Sequence, residues 1–290
     1  MTKFLEALGG KLAERWLTLL VLPSLPLTAA AAAGLVLGHR HWHDVGRLID
    51  RLNHLASEPA FRTTSVLVLV LAGVLVASAG LGLAASALGV VVERLWLADR
   101  PRWSVRRRRR RWDAAEEKFT AALLAAARGG EGTARAQELN ARRNRISVAP
   151  PTRAFWLGDR IAAVDARVWS IYRLDLGSAW PRLWLALPSD VRAEVTTART
   201  ALTAAFRLVA WAVGYLLVGV VWWPSAVVGL ATAATAWYRA RVAGEAFAEL
   251  TESVVDLYGR QLAELLGVEC EGPLTAEVGE RITSALRKDS

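Results

Sequence analysis

The sequence predicts an all-α integral membrane protein with two transmembrane helical hairpins, about four spans, and a small cytoplasmic helical domain between them. Three observations predict this class: residues 63–92 and 208–238 carry no charge over thirty and thirty-one positions, and an arginine cluster follows the first stretch. Thirty helical residues reach about 45 Å, which exceeds the roughly 30 Å hydrocarbon core of a bilayer. Such helices can lie in lipid because their backbone hydrogen bonds are all internal.

The composition fits a chain in which apolar and charged stretches are segregated. Of 290 residues, 53% are hydrophobic and 22% are charged, and the formal net charge is +9. A charge of this size favours nucleic acid or anionic lipid as a partner, and the lipid-length stretches favour lipid. The single cysteine, Cys270, excludes an intrachain disulfide and a cysteine-based zinc site. The excess of arginine over lysine, with many alanines, resembles the composition of a high-GC bacterium.

The chain begins with a short basic head, residues 1–15, which we expect on the cytoplasmic side. Residues 16–38 then run 23 positions without a charge, long enough to span a bilayer. Pro23 and Pro26 predict a kink or an early helix end. A basic start followed by an apolar run is also typical of a signal peptide, but this run is longer than usual and favours a retained helix.

The first hairpin, residues 16–92, contains an outer loop at 39–62. This loop has four basic residues against three acidic ones, whereas the loop predicted at residues 93–112 holds nine arginines. Because basic residues accumulate on the cytoplasmic side, the asymmetry places the loop outside. With two hairpins, both termini are then cytoplasmic, and the plasma (inner) membrane is the expected location.

The histidines all lie in this outer loop, at His39, His41, His43 and His54. Imidazoles are common metal ligands, and they titrate near neutral pH. The alternate spacing of the first three does not converge on a helix, although an extended loop could gather them. We interpret the loop as polar and free of metal, with zinc or copper binding and proton sensing as the alternatives.

The arginine cluster after residue 92 predicts a topology anchor that binds anionic phospholipid headgroups, at about 1 kcal/mol per residue near the surface. Nucleic acid is the less favoured partner, because Trp96, Trp103 and Trp112 beside a membrane are more typical of an interfacial belt than of a stacking platform. The residues assigned to headgroup contact and topology are Arg100, Arg102, Arg106, Arg107, Arg108, Arg109, Arg110 and Arg111.

Residues 93–200 are predicted to hold this juxtamembrane segment and the cytoplasmic domain. An alanine-rich stretch at 113–128 predicts one helix, and residues 134–145 predict a second one that Pro150 and Pro151 end. Glycines separate the two helices. No alternation typical of strands occurs, so the domain is expected to be helical.

The second hairpin is predicted at residues 201–241. Its arms are 201–221 and 225–241, and the paired tryptophans and Pro224 between them predict a tight turn at a membrane interface. The arms are short, so a re-entrant hairpin that does not fully cross is the alternative. Residues 242–290 are predicted to form cytoplasmic C-terminal helices, the last of which is capped by Thr275.

No catalytic motif occurs in the sequence, and we predict neither an enzyme nor a cofactor. There is no nucleophile elbow, phosphate-binding loop, zinc-protease motif or dinucleotide fingerprint. Asp159 beside Arg160, and Arg173 near Asp175, are interpreted as structural ion pairs. The apolar stretches contain no acidic residues, which argues against a proton-coupled transporter.

One segment, residues 151–192, resembles a stretch found in uncharacterised bacterial multi-pass membrane proteins. Those proteins tend to read TRLGN, then YGLD, WPRL and LP. The corresponding residues include Thr152, Arg153, Asp175, Trp180, Pro181 and Arg182. The chain departs from the pattern by an insertion at 154–156 and by Asp159 in place of asparagine. The resemblance implies a two-hairpin membrane protein with an inner domain and implies no mechanism.

Trp180, Leu183, Trp184 and Leu187 recur at helical spacing. Such a face either packs a small core or lies on the membrane, and core packing is the favoured interpretation.

The function predicted from these observations is a membrane anchor or assembly module for cytoplasmic partners. The partners expected are anionic phospholipid, an unidentified cytoplasmic protein and a second copy of the chain. The alternative is an oligomeric pore or membrane-perturbing effector of a bacterial stress or defence type, for which the small residues Gly80, Gly82, Ala84, Ala85 and Ala87 offer packing faces. A lipid-acting enzyme is a third class.

Overall fold

The structure is a computed structural model that describes residues 22–58, 63–128 and 133–287. Within these ranges the regular secondary structure is entirely helical, as predicted, and no strand is present. The ten helices are α1 Leu22–Leu37, α2 Val45–Ser57, α3 Thr64–Leu97, α4 Arg102–Ala127, α5 Thr133–Ile146, α6 Trp156–Tyr172, α7 Leu176–Ala186, α8 Ser189–Gly219, α9 Trp223–Leu265 and α10 Ala276–Arg287. The predicted N-terminal head, residues 1–15, and the first residues of the predicted first span lie outside the described ranges.

Two segments that the sequence predicted as loops are helical. The outer loop 39–62 contains α2, and the arginine cluster lies in α4. In α2 the apolar residues recur every three or four positions between Asp44 and Glu58, which is a helical period that the charges of the segment obscured. Arginine is itself a good helix former, so a run of arginines is no barrier to α4.

Pro26 lies within α1, which continues to Leu37, so the early helix end considered at this proline does not occur. Two other predicted boundaries agree with the structure. A turn separates α8 from α9 at residues 220–222, and Pro224 occupies the first turn of α9, where a missing backbone N–H costs nothing. Thr275 caps α10, since its hydroxyl oxygen accepts the Val278 N–H at 3.4 Å.

The described residues fall into two compact units. The first unit comprises those up to Val92 together with Ala204–Tyr238, and the second comprises Glu93–Thr203 and the described residues from Arg239 onward. The long helices α3, α8 and α9 each contribute residues to both.

The first unit is built on small residues and backbone contacts. The hairpin of α8 and α9 is joined where the Ser225 hydroxyl donates to the Tyr215 carbonyl at 2.8 Å. The buried positions of α3 fall mainly on small residues at a spacing of three or four: Ser78, Ala79, Gly82, Ala85, Gly89 and Val92. Small side chains allow close approach of helices, so this seam is the packing face of α3.

Two helices, Thr64–Leu97 and Ser189–Gly219, are long and apolar enough to cross a membrane by length and composition. Among the described residues, α1 is apolar but shorter, and α9 does not meet the same criterion. The prediction of about four spans is therefore matched for two helices only, because α1 is described for 16 residues and α9 passes into a charged sequence after residue 238.

The second unit has its own hydrophobic core. Helices α6, α7, α9 and α10 contribute to it, and Leu174, Leu183, Val255 and Ile282 are fully buried there. The C-terminal helix α10 closes this core from one side through Val278 and Ile282. The predicted C-terminal helices thus pack on the core of the second unit.

Candidate functional site

The helix α7 supplies the wall of an apolar groove in the second unit. Its residues Ala179 and Leu183 are completely buried, which anchors the helix, while Trp180 and Trp184 are half-buried on the neighbouring face. The structure therefore favours core packing for this face, as the sequence analysis did. The two tryptophans are nevertheless open on one side, with ring centroids 6.1 Å apart.

The groove has a volume of about 640 Å3. Its lining is dominated by aromatic and aliphatic side chains, among which Leu185 has 78% of its surface accessible. The lining residues are Trp180, Pro181, Trp184, Leu185, Val195, Thr196, Arg199, Thr200 and Phe247. An apolar concavity with a few polar groups at its edge is the usual form of a binding site.

The polar edge of this groove is formed by α8. The Arg199 guanidinium lies 5.9 Å from the Phe247 ring centroid and is paired with the Glu93 carboxylate. This pairing neutralises the only charged lining residue. The groove thus offers apolar contact and hydroxyl groups from Thr196 and Thr200 rather than a charged pocket. Arg199 was not predicted, and only the fold places it beside Trp184.

Thr152 and Arg153 belong to a second feature, centred on Asp159 in the first turn of α6. The Asp159 carboxylate is buried, and its Oδ1 accepts the backbone N–H groups of Thr152 and Arg153, each at 2.7 Å. Its Oδ2 lies 2.8 Å from the Arg108 guanidinium. Burial raises the pKa of Asp159 above its usual value, while the two N–H donors and Arg108 act in the opposite direction.

Arg108 contacts the protein interior and is therefore an exception within the headgroup-binding set. Besides Asp159, it donates to the carbonyl oxygens of Ile146 at 2.7 Å and Arg153 at 3.3 Å. A run of six residues covers more than one helical turn, so one member must face the unit. The remaining predicted arginines are exposed, and headgroup contact stays a prediction for Arg100, Arg102, Arg106, Arg107, Arg109, Arg110 and Arg111.

The aromatic residues between the arginines are also used internally. Trp96 stacks on Phe155 with centroids 5.9 Å apart, and Trp112 donates to the Ser147 carbonyl at 2.9 Å. Only Trp103 is strongly exposed, with 67% of its surface accessible. Trp96 and Trp112 are thus half-buried and held by internal contacts, and an interfacial belt stays a prediction for all three tryptophans.

The predicted ion pair between Asp159 and Arg160 is wrong. Arg160 is buried and donates through Nε to Glu245 at 2.9 Å, while its Nη1 lies 3.7 Å from Glu252. Glu252 also lies 3.0 Å from Arg167. Neighbouring residues on a helix point in different directions, so Asp159 and Arg160 reach different partners.

Asp175 binds α10 instead of the predicted Arg173. Its Oδ2 lies 2.8 Å from Arg287, and Ser178 donates to the same oxygen at 3.0 Å. These contacts hold the pKa of Asp175 below its usual value, with the Arg287 hydrogen bond as the largest cause. Arg173 ends α6 in a left-handed conformation with φ of 54°. Its carbonyl accepts the Thr283 hydroxyl at 3.1 Å.

The motif residues of 151–192 are thus spread over several places in the second unit. Thr152 and Arg153 surround Asp159, and Asp175 holds α10. Trp180 and Pro181 line the groove, whereas the exposed Arg182 donates to the Ser178 carbonyl at 2.9 Å. Asp175 lines a smaller concavity together with Leu176 and Arg287.

The four histidines have separate neighbours in the first unit. His39 donates through Nε2 to the Val220 carbonyl at 2.8 Å, and His41 accepts from Arg47 at 2.9 Å. His43 lies edge-on to Trp42, and His54 lines a groove beside the end of α1. Within the described ranges, no group of three or more His, Cys, Asp or Glu side chains is placed to hold a metal ion.

Comparison with known proteins found no matching protein-family model, no matching curated protein and no matching solved structure. The resemblance to multi-pass membrane proteins therefore stays a prediction from the sequence.

Proposed function

We propose that this chain is a polytopic membrane protein whose second unit is a cytoplasmic docking module, with no reaction of its own. The observation that carries the proposal is the bare apolar surface of α3. In the apolar 18-residue stretch of this helix, only 17% of the residues are buried. A core helix of a soluble protein would be mostly buried, so a solvent other than water is the simplest cover for this surface.

The exposed residues of α3 are those expected of a helix surrounded by lipid. From Leu67 to Val76 the large aliphatic side chains are between 41% and 70% exposed. They lie on several sides of the helix, while the small residues further along form the packing seam. A helix that is apolar all round matches a lipid environment. We place α8 across the bilayer beside it, and α1 and the first part of α9 complete the two proposed hairpins.

The orientation proposed has both termini and the second unit inside. It rests on the nine arginines of residues 93–112, against four basic and three acidic residues in the outer loop. Cysteine labelling in intact cells tests this orientation, with Cys270 replaced by serine. A membrane-impermeant maleimide should modify Ser57→Cys directly and Glu117→Cys only after permeabilisation. Direct labelling of Glu117→Cys would overturn the orientation.

The docking role is assigned to the groove of α7. An apolar, aromatic concavity with a neutralised rim fits the apolar face of an amphipathic helix from a cytoplasmic partner. Helices in such grooves present anchors at spacings of three, four and seven residues, and Trp180 with Trp184 provides a matching wall.

A matched pair of leucines tests the docking role. Leu185 lines the groove with 78% exposure, and Leu257 of α9 lies away from it with 75% exposure. A photo-reactive side chain at position 185 should form a discrete protein adduct in cells, which Trp184→Ala should abolish, and the same group at 257 should not. Equal adducts at both positions, or none at 185, would contradict docking at the groove.

The alternative of an oligomeric pore draws on small faces of α3. Gly82 and Ala85 are already buried inside the first unit, whereas Gly80, Ala84 and Ala87 remain exposed. The anchor role needs no further use of these residues. Because Gly82 and Ala85 are already used for packing within one copy, the anchor role is favoured. A pore would have to be built on the exposed face of Gly80, Ala84 and Ala87.

A further inference from the structure

The outer helix α2 has an apolar face that is mostly uncovered in the described structure, with Leu48 and Leu55 half-buried and the other members exposed. None of its residues is buried. Val45, Ile49 and Leu52 are 63%, 50% and 58% exposed, and Leu48 and Leu55 lie on the same side. At 100° per residue these five positions fall within one stripe about 120° wide, which is the width of a typical buried helix face.

The opposite face of α2 is polar. Arg47, Asp50, Arg51 and His54 line a groove of about 600 Å3 together with Leu35 and Val36 at the end of α1. The apolar face therefore points away from the nearest helix of its own unit. The start of the helix is also stabilised by a local contact. The Asp44 side chain accepts the Arg47 N–H at 3.0 Å and caps the first turn.

The position of α2 in the first unit brings it to a tryptophan-rich end. Trp42, just before α2, lies 4.8 Å from Trp223 between ring centroids, and its carbonyl accepts the Trp222 indole N–H at 3.3 Å. The same end contains the turn between α8 and α9. Tryptophans concentrate where hydrocarbon meets headgroups, so this end of the apolar helices matches a bilayer surface.

We infer that α2 is an interfacial helix, with its apolar face in the boundary between headgroups and acyl chains on the outer side. This inference rests on the proposed membrane placement. The helix follows α1 and precedes α3 at the tryptophan-rich end, so lipid is the surface that its chain neighbours bring within reach.

The charges of α2 define how it meets that surface. Two arginines and one aspartate give the helix a net charge of only +1 with its histidine neutral. Binding should then be driven by apolar area and depend little on salt or on anionic lipid, in contrast to a polybasic helix. A protein partner or a second copy on the same face would instead shield it from lipid.

Spin labelling of the full-length chain in phospholipid vesicles tests this inference, in a Cys270→Ser background. Labels at positions 49 and 52 report the apolar face, and labels at 50 and 54 report the polar face. The ratio of collisions with oxygen, which enriches in hydrocarbon, to collisions with a water-soluble nickel chelate should be several-fold higher at 49 and 52. The pattern should persist at high salt and in vesicles of phosphatidylcholine alone.

Labels at Leu69 and Val76 of α3 serve as the insertion control. If these favour oxygen while positions 49 and 52 match positions 50 and 54, α2 lies in water and only this inference is overturned. Protection of 49 and 52 from both reagents would show a protein on the face and would also overturn it. If the α3 labels themselves favour nickel, the proposed membrane placement fails as well.

Discussion

Charged residues that are neighbours in the sequence bind separate partners in this protein. Asp159 meets Arg108 and two backbone N–H groups, while Arg160 meets Glu245. Asp175 meets Arg287, which lies far away in the sequence. Each contact joins one helix to another segment, so the buried and half-buried charges act as cross-links of the second unit.

Gly279 is required by the close approach of α10 to the end of α6. A Cβ at this position would lie 1.9 Å from the Tyr172 carbonyl oxygen. Helix propensity alone predicts that Gly279→Ala stabilises the protein by about 1 kcal/mol. We expect the opposite sign, a loss of about 1–3 kcal/mol from overpacking, seen as a lower melting temperature in detergent. Ser284→Ala, on the exposed side of α10, is the control and should leave melting unchanged.

Arg287→Gln should remove a pH-dependent contribution to stability. Because Arg287 lowers the pKa of Asp175 from its ordinary 3.8, the pair stabilises the fold above that pH and loses its effect as pH falls through the lowered value. The pair is partly exposed, so about 0.2–1 kcal/mol is expected at neutral pH. Melting curves of wild type and variant should converge under acid. A constant gap, as expected for Arg281→Gln on the exposed side of α10, would contradict this assignment.

At the scale of the element, α4 divides its arginines between two roles. Arg108→Gln leaves Asp159 buried without its countercharge and should cost about 3–5 kcal/mol at neutral pH. This cost should shrink as pH falls, because protonation of Asp159 removes the unpaired charge. The melting temperature measured as a function of pH tests this prediction. Binding of the variant to anionic vesicles should be unchanged.

The exposed arginines of α4 should show the reverse behaviour. Glutamine at Arg106, Arg107, Arg109, Arg110 and Arg111 should weaken association with phosphatidylglycerol vesicles by about 1 kcal/mol per residue at low salt. The melting temperature should stay near that of wild type. A large loss of stability in this variant, or full vesicle binding, would show that these residues are not free to contact headgroups.

Along α3, two glycines provide a matched comparison. A Cβ at Gly89 would lie 3.1 Å from the Arg207 side chain and 3.5 Å from its backbone, whereas a Cβ at Gly80 meets nothing within 4 Å. Gly89→Leu should therefore lower the yield of monodisperse protein and its melting temperature. Gly80→Leu should be tolerated, since its side chain would join the exposed apolar face.

The whole molecule combines an apolar unit with a unit that has its own core. The anchor proposal predicts one discrete size in detergent, unchanged by Gly80→Leu, and no ion flux in vesicles. Light scattering and a dye-flux assay measure both quantities. A ring-sized particle with flux that Gly80→Leu abolishes would support the pore, because that face is then used between copies.

Much of the fold could be predicted because its causes are local. The charge-free stretches, the breaks at Pro150–Pro151 and Pro224 and the Thr275 cap act within a few residues, so they predicted helices and turns at about the right places. The predicted glycine break at 129–132 lies outside the described residues. The helix α2 was missed because its charges hid an amphipathic period. In α4, the arginines were assigned to a loop although they are good helix formers.

The site was less predictable. Trp180 and Pro181 of the motif do line the groove, but Arg199 and Phe247 join them only because α8 and α9 pass beside α7. In the sequence, Phe247, Leu250, Val254 and Leu257 follow one another at the three- and four-residue spacing of a helix. The first three of these four pack on the core, and the fourth is exposed. Spacing identified the helix and could not identify its neighbours.

The sequence by itself determined the helical class, the two lipid-length stretches and the charge asymmetry on which the proposed orientation rests. These are properties of composition and period, which exist before any long-range contact forms. Only the tertiary structure decided that Arg108 faces inward, that Asp175 holds α10 and that α7 opens onto a groove. Each of these features depends on packing between residues that are distant in the sequence. The sequence pattern allows many such pairings, and the close packing of the core selects one of them.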